Sequence, residues 1–89
     1  MLASGVEQIE KTSINIYPNP ASNQITIDYP AFIPKSVLII YDINGQELMQ
    51  KNMTDRKTLL DITNLQKGIY FVKLFTNESV KVIKILKKG

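Results

Sequence analysis

The chain has 89 residues, enough for one domain with one hydrophobic core, and its 44% apolar and 21% charged residues are ordinary for a globular protein. It has no Cys, which excludes disulfides, thiolate metal sites and a thiol nucleophile. The net charge is +3, but residues 81–89 alone hold four lysines and no acid. With one Arg in the whole chain, the broad Arg-rich face of a nucleic-acid-binding protein is not expected.

The first thirteen residues are polar and weakly periodic. We interpret residues 1–13 as a linker or an expression leader, followed by a single domain at 14–89. Met1 to Gly5 lack the charged and apolar regions of a signal peptide, and no stretch approaches transmembrane length, so direct membrane insertion is not expected. We expect the chain to come from the end of a longer protein whose export signal lies elsewhere.

From residue 14 onward, apolar and polar residues alternate, and turn residues recur roughly every eight to twelve positions. This pattern predicts an all-β sandwich or barrel of about seven strands. The predicted strands are 14–17, 24–29, 37–42, 47–52, 58–62, 68–75 and 79–86.

The alternation also predicts which side chains form the core. In the second strand Ile25, Ile27 and Tyr29 share one face, and the sixth strand carries an equivalent row on Tyr70, Val72 and Leu74. The third strand is apolar on both faces, which predicts a central strand covered on each side.

Two glycine turns and one irregularity are predicted. Asn44-Gly45 favours a hairpin with a type I′ turn, in which both residues have a positive φ. Gly68 ends the turn before the sixth strand and is expected to have a positive φ as well. In the last strand the apolar parity changes between Val82 and Ile83, which predicts a bulge there.

No catalytic group is evident, because the chain has neither His nor Cys. The acids that remain for catalysis or Ca²⁺ binding, Asp28, Asp42, Asp61 and Glu78, lie at strand ends or turns, where carboxylates are ordinarily solvated. We therefore expect no enzyme activity, no cofactor and no metal.

The four tyrosines raise the alternative of a carbohydrate-binding module, since sugars stack on exposed aromatic rings. Tyr29, Tyr41 and Tyr70 are in phase with core-facing positions, however, which favours packing in the core. Tyr17, beside the prolines, is the tyrosine expected to be exposed.

The lysines of the last strand, Lys81, Lys84, Lys87 and Lys88, have two interpretations. Lysine on an edge strand protects a sheet against unwanted pairing. A basic, strand-forming tail can equally be a recognition element, because a partner can add its own strand to an exposed edge.

Four motifs occur in order along the chain: INIYPNPA at 14–21, YDINGQ at 41–46, LQKGIYFV at 65–72 and VIKILK at 82–87. Together, over residues 14–88, they resemble the C-terminal sorting domain, type A, of the type IX (Por) secretion system. The resemblance implies an immunoglobulin-like antiparallel β-sandwich at the end of a longer cargo protein of the Bacteroidetes group.

The resemblance also implies a route. Such cargo enters the periplasm by an N-terminal signal and crosses the outer membrane through a translocon that recognises this domain. A surface sortase, with its shuttle components, usually then removes the domain in the linker before residue 14, and the cargo is secreted or attached to the cell surface. By position, the residues expected to serve recognition are Gly68, Lys81, Ile83, Lys84, Ile85, Lys87 and Lys88.

Two other classes share the sandwich and the lack of catalysis. One is a carbohydrate- or protein-binding module, which calorimetric titration with polysaccharides would reveal. The other is a spacer or adhesin domain that pairs through edge strands. Concentration-dependent dimerisation would favour that class. Weak self-association through the last strand is also compatible with a secretion signal.

Overall fold

The computed structural model describes residues 14–30 and 34–88. These residues form seven strands: β1 (Asn15–Tyr17), β2 (Gln24–Asp28), β3 (Val37–Tyr41), β4 (Glu47–Asn52), β5 (Lys57–Asp61), β6 (Gly68–Phe75) and β7 (Val80–Lys87). Within this described part there is no helix long and apolar enough to cross a membrane. The all-β prediction is confirmed, and every predicted strand bound agrees within one residue. The predicted leader at 1–13 lies outside the described residues.

The strands form two antiparallel sheets, one of order β1-β2-β5 and one of order β4-β3-β6-β7. Seven strands divided three and four between two antiparallel sheets are the arrangement of an immunoglobulin-like sandwich. The Tyr70 hydroxyl donates to the carbonyl oxygen of Gln66 in the turn before β6, as in the tyrosine corner of such sandwiches. The predicted fold class is thus confirmed.

The core lies between the sheets and takes side chains from both. Its buried apolar members are Ala21, Ile25, Ile27, Tyr29, Leu38, Ile40, Met53, Leu60, Ile62, Tyr70, Val72, Leu74 and Ile85. The rows predicted on the second and sixth strands are all among them. Since a fully buried large apolar side chain contributes about 1.5–3 kcal/mol relative to its exposed state, these rows supply the main drive for folding.

The third strand differs from its prediction. Strand β3 does lie between β4 and β6, with Leu38 and Ile40 buried, but its other face is only half-buried, because no second layer of the described chain covers it. Tyr41 belongs to this outer face, so its predicted place in the core is wrong. The Lys73 ammonium lies 4.5 Å from the centre of the Tyr41 ring and shields it by a cation–π contact.

The Asn44-Gly45 hairpin joins β3 to β4 as predicted, but its turn is not type I′. Of the two residues Asn44 and Gly45, only Gly45 has a positive φ, of 85°. The Gly45 N–H donates to the Asp42 carbonyl, and the Asp42 carboxylate accepts the N–H groups of Asn44 and Gln46. These bonds to Asp42 favour the longer loop with one left-handed glycine, in which Asn44 keeps a negative φ.

Candidate functional site

Strand β7 contains most of the residues predicted to serve recognition, and it is the edge strand of the four-stranded sheet. All eight of its residues pair with β6 in one unbroken register, from Val80 opposite Phe75 to Lys87 opposite Gly68. The predicted bulge near Val82 and Ile83 is therefore wrong. The change of apolar parity has another cause: this strand carries apolar side chains on both faces of a regular ladder.

The register divides the predicted residues between those two faces. Lys81, Ile83 and Ile85 lie opposite the core residues Leu74, Val72 and Tyr70, and so face the other sheet. Ile85 is fully buried, whereas Lys81 and Ile83 are half-buried.

Only part of the basic stretch is on the surface. Lys84, on the outer face, and Lys88, beyond the end of β7, are exposed. Lys87 is 93% buried and its Nζ atom donates to the carbonyl oxygen of Leu65 at 3.0 Å. The lysines therefore form no single charged face, and Lys87 already has a partner inside the domain.

Gly68 lies directly opposite Lys87 at the start of β6. Its φ of 148° confirms the predicted positive value, and this conformation is open to glycine but strained for other residues. No neighbouring atom comes within 4 Å of the place where a Cβ would lie. Glycine is thus required here by the backbone rather than by close packing.

The segment between β1 and β2 covers the edge of β7 near its C-terminal end. The Asn19 amide binds two backbone groups of β7: its nitrogen donates to the Lys84 carbonyl at 3.1 Å, and its oxygen accepts the Leu86 N–H at 3.0 Å. Ala21 continues the contact, donating to the Leu86 carbonyl and accepting the Lys88 N–H, both at 2.8 Å. We call Asn19 to Ala21 the edge clip.

The edge clip was not predicted from the sequence, although the two prolines that flank Asn19 are a signal for it. The peptide bonds before Pro18 and Pro20 are both cis, and neither proline can donate to a ladder. A short polar side chain between two such residues is free to replace the missing backbone groups. A small depression of about 170 Å³ lies beside the clip, lined by Asn19, Ile69, Lys84, Ile85 and Leu86.

The outer face of β7 is unusually apolar for a surface. Val80, Val82 and Leu86 are 54%, 53% and 43% exposed, and Lys84 lies among them on the same face. The tyrosines contribute little to the surface, since Tyr29 and Tyr70 are buried and Tyr41 is half-buried. Among the described tyrosines, Tyr17 is the exposed one, as predicted.

Three of the four acids considered for catalysis or Ca²⁺ binding, Asp28, Asp42 and Asp61, have local partners. No group of three His, Cys, Asp or Glu that could hold a metal occurs within residues 14–30 and 34–88. Asp28 pairs with Arg56 at 3.2 Å. Hydrogen bonds from the hydroxyl and the backbone N–H of Thr63 lower the pKa of Asp61, while burial, reinforced by the Glu78 carboxylate, raises the pKa of Tyr29.

Residues 15–88 match the family described as secretion system C-terminal sorting domain. No curated protein matches the chain. Among solved structures, it is similar to part of PorZ, described as an essential bacterial surface component of the type-IX secretion system of Porphyromonas gingivalis, with a TM-score of 0.67 and 19% identity. The likeness covers 86% of this chain and 12% of PorZ, and it shows the fold alone. Because the family match spans most of its length, the chain belongs to the C-terminal sorting domains of the type IX (Por) secretion system.

Proposed function

We propose that this domain is the signal by which the outer-membrane type IX translocon recognises a longer cargo protein and delivers it to the cell surface or beyond. The family match over residues 15–88 carries the proposal. The contacts that fix β7 also support the proposal. The edge clip, the Lys87 hydrogen bond and the β6 ladder together hold the last strand in a single conformation. A preformed tail lowers the ordering cost that a receptor must meet.

The seven predicted residues would then have two roles. Lys84 and Lys88 are exposed and suited to direct contact with a receptor, whereas the half-buried Lys81 and Ile83 lie on the opposite face of β7 from Lys84. Ile85, Lys87 and Gly68 act indirectly, because they hold the strand that presents the others. Direct recognition would thus depend on fewer residues than the basic stretch contains.

The proposal extends to the rest of the sorting route. Residues 1–13 serve as the linker in which a surface sortase cuts before the domain, and the domain is of type A, as its motifs indicate. It acts as substrate and signal, without catalysis or a cofactor of its own. The family match supports this non-catalytic role, since a secretion signal requires only a surface that the machinery can bind.

The test is export of a reporter protein fused to the N-terminal side of the domain in a bacterium with a type IX system. Deleting the tail would be ambiguous, because it removes the core residue Ile85 and the buried Lys87. Reversing only the exposed charges, with Lys84→Glu and Lys88→Glu, avoids that problem. We expect the folded reporter to accumulate in the periplasm.

The matched control is Lys51→Glu, which reverses an exposed lysine on β4, the other edge strand of the same sheet. We expect its reporter to reach the surface as the unchanged fusion does. Equal surface display of the double variant and the unchanged fusion would contradict the assignment of Lys84 and Lys88. Periplasmic retention of the unchanged fusion would contradict the proposed function itself.

A further inference from the structure

The edge of β7 is covered over only half its length. The edge clip uses backbone groups of Lys84, Leu86 and Lys88. Because alternate residues of a strand direct their backbone groups to the same side, the N–H and C=O of Val80 and Val82 point to this same edge. No residue of the described part of the chain pairs with them there. We call residues 80–84 the open edge.

The side chains of the open edge fit a partner strand and restrict its chemistry. Val80 and Val82 are more than half exposed on the outer face. Lys81 points to the inner side, where an added strand would cover its ammonium group. An inward-pointing lysine on an edge strand discourages pairing with an apolar strand, because the charge would lose water without gaining a partner. A carboxylate on the added strand removes that penalty.

We infer that the open edge binds an extended, acidic segment of a partner protein, which adds as a fifth strand to the four-stranded sheet. Its backbone pairs with Val80, Val82 and the Lys84 N–H. Two of its carboxylates, three residues apart, lie beside Lys81 and Lys84, and apolar side chains fill the positions beside the valines. The inference rests on the proposed function, since it names the way in which the secretion machinery holds the domain.

A second copy of the chain is a poorer occupant. Residues 80–84 of another copy would bring two further lysines and no acid to the shared edge. The weak self-association predicted from the sequence is therefore disfavoured at this edge by charge. The spacing of three between Lys81 and Lys84 selects a partner whose acids have the same spacing, in either strand direction.

The probe is the capped peptide Thr-Val-Glu-Val-Val-Glu-Val-Thr, which places its acids opposite both lysines in a parallel or an antiparallel arrangement. We expect its titration into the full chain to shift the backbone amide signals of Val80, Val82 and Lys84 in NMR spectra and to slow their hydrogen exchange. The same peptide with Lys in place of both Glu is the charge control, and we expect it not to bind.

Val82→Pro tests the edge without breaking the β6–β7 ladder, because the N–H that it removes points away from β6. Loss of one backbone bond and the clash of the ring should weaken the peptide by about ten-fold or more. Val82→Thr keeps the N–H and a β-branched side chain, and we expect it to bind within about three-fold of the unchanged chain. Unchanged core signals in both variants show that they fold.

The inference would be overturned by equal binding of both peptides, by equal binding to Val82→Pro, or by dimers of the free chain whose contact is the open edge. Amides of Val80 and Val82 already protected in the free monomer would do the same, since another segment of the chain would then cover them. The reporter fusion separates this inference from the proposed function. Normal export with Val82→Pro would reject strand addition and leave the sorting role standing.

Discussion

Lys87 donates from its Nζ atom to the carbonyl oxygen of Leu65 across 22 residues of sequence, and in doing so joins the end of the last strand to the turn before β6. Lys87 is only 7% exposed. A charged group is buried in this way only when a hydrogen bond replaces the lost water. Lys87 is therefore part of what holds the tail in place.

Replacing Lys87 by Met keeps an unbranched side chain and removes the donor. The Leu65 carbonyl then loses its partner, so we expect the free energy of unfolding to fall by roughly 1 kcal/mol or more. Urea denaturation followed by circular dichroism measures the change. Lys88→Met is the control: its side chain is exposed, and its effect should stay within about 0.5 kcal/mol. Equal stability of the two variants would contradict a structural role for Lys87.

Replacing Asn19 by Ala should loosen the C-terminal part of β7. It removes the bonds to the Lys84 carbonyl and the Leu86 N–H, which together are worth about 1–2 kcal/mol. The specific readout is hydrogen exchange, in which the Leu86 amide should become fast while the Ile85 amide, directed to β6, stays slow.

Asn19→Asp provides the matched control for the edge clip. The carboxylate retains an acceptor for the Leu86 N–H but has no donor for the Lys84 carbonyl. We therefore expect Leu86 to stay protected in Asn19→Asp and to exchange quickly only in Asn19→Ala. Slow exchange of Leu86 in both variants would show that Asn19 is not what covers the edge.

The sequence predicted the strands and the inner faces of β2 and β6 because period-two alternation reports directly on a half-buried strand. The predicted bulge in β7 was wrong for a physical reason: a strand that is apolar on both faces has no parity to read. The two prolines mark Asn19 as unusual, but local pattern cannot identify its partner, since Asn19 and Leu86 are 67 residues apart. The burial of Lys87 likewise depends on a distant carbonyl, so composition alone marked it as a surface charge.

Substitution of Gly68 tests whether this residue serves only the backbone conformation or also contacts the receptor. Gly68→Ala forces a side chain onto a φ of 148°, which should cost about 1–3 kcal/mol. Gly45→Ala imposes a comparable strain at a φ of 85° in the β3–β4 turn, which carries none of the predicted recognition residues. If Gly68 acts only through the backbone, both variants should lose reporter export in proportion to their loss of stability. Export lost in Gly68→Ala alone, at equal stability, would assign Gly68 a contact with the receptor.

Asp61 should make the stability of the domain depend on pH in the acid range. Hydrogen bonds from Thr63 hold the pKa of Asp61 below its ordinary value of 3.8 in the folded state. A group with a lowered pKa stabilises the fold fully above its unfolded pKa, and this contribution is lost as the pH falls through the folded pKa. We expect the wild type to be more stable than Asp61→Asn at neutral pH, and the difference to vanish in strong acid.

Denaturation of both proteins between neutral pH and about pH 2 gives the profile, since that range spans the ordinary pKa of an aspartate. Thr63→Val is the control, because it removes the hydroxyl donor at 2.6 Å and leaves the backbone N–H at 2.9 Å. With one of the two donors gone, the pKa of Asp61 in that variant should rise towards its ordinary value. The acid-dependent part of the stability should shrink with it. A difference between wild type and Asp61→Asn that persists unchanged into strong acid would show that the carboxylate charge plays no part.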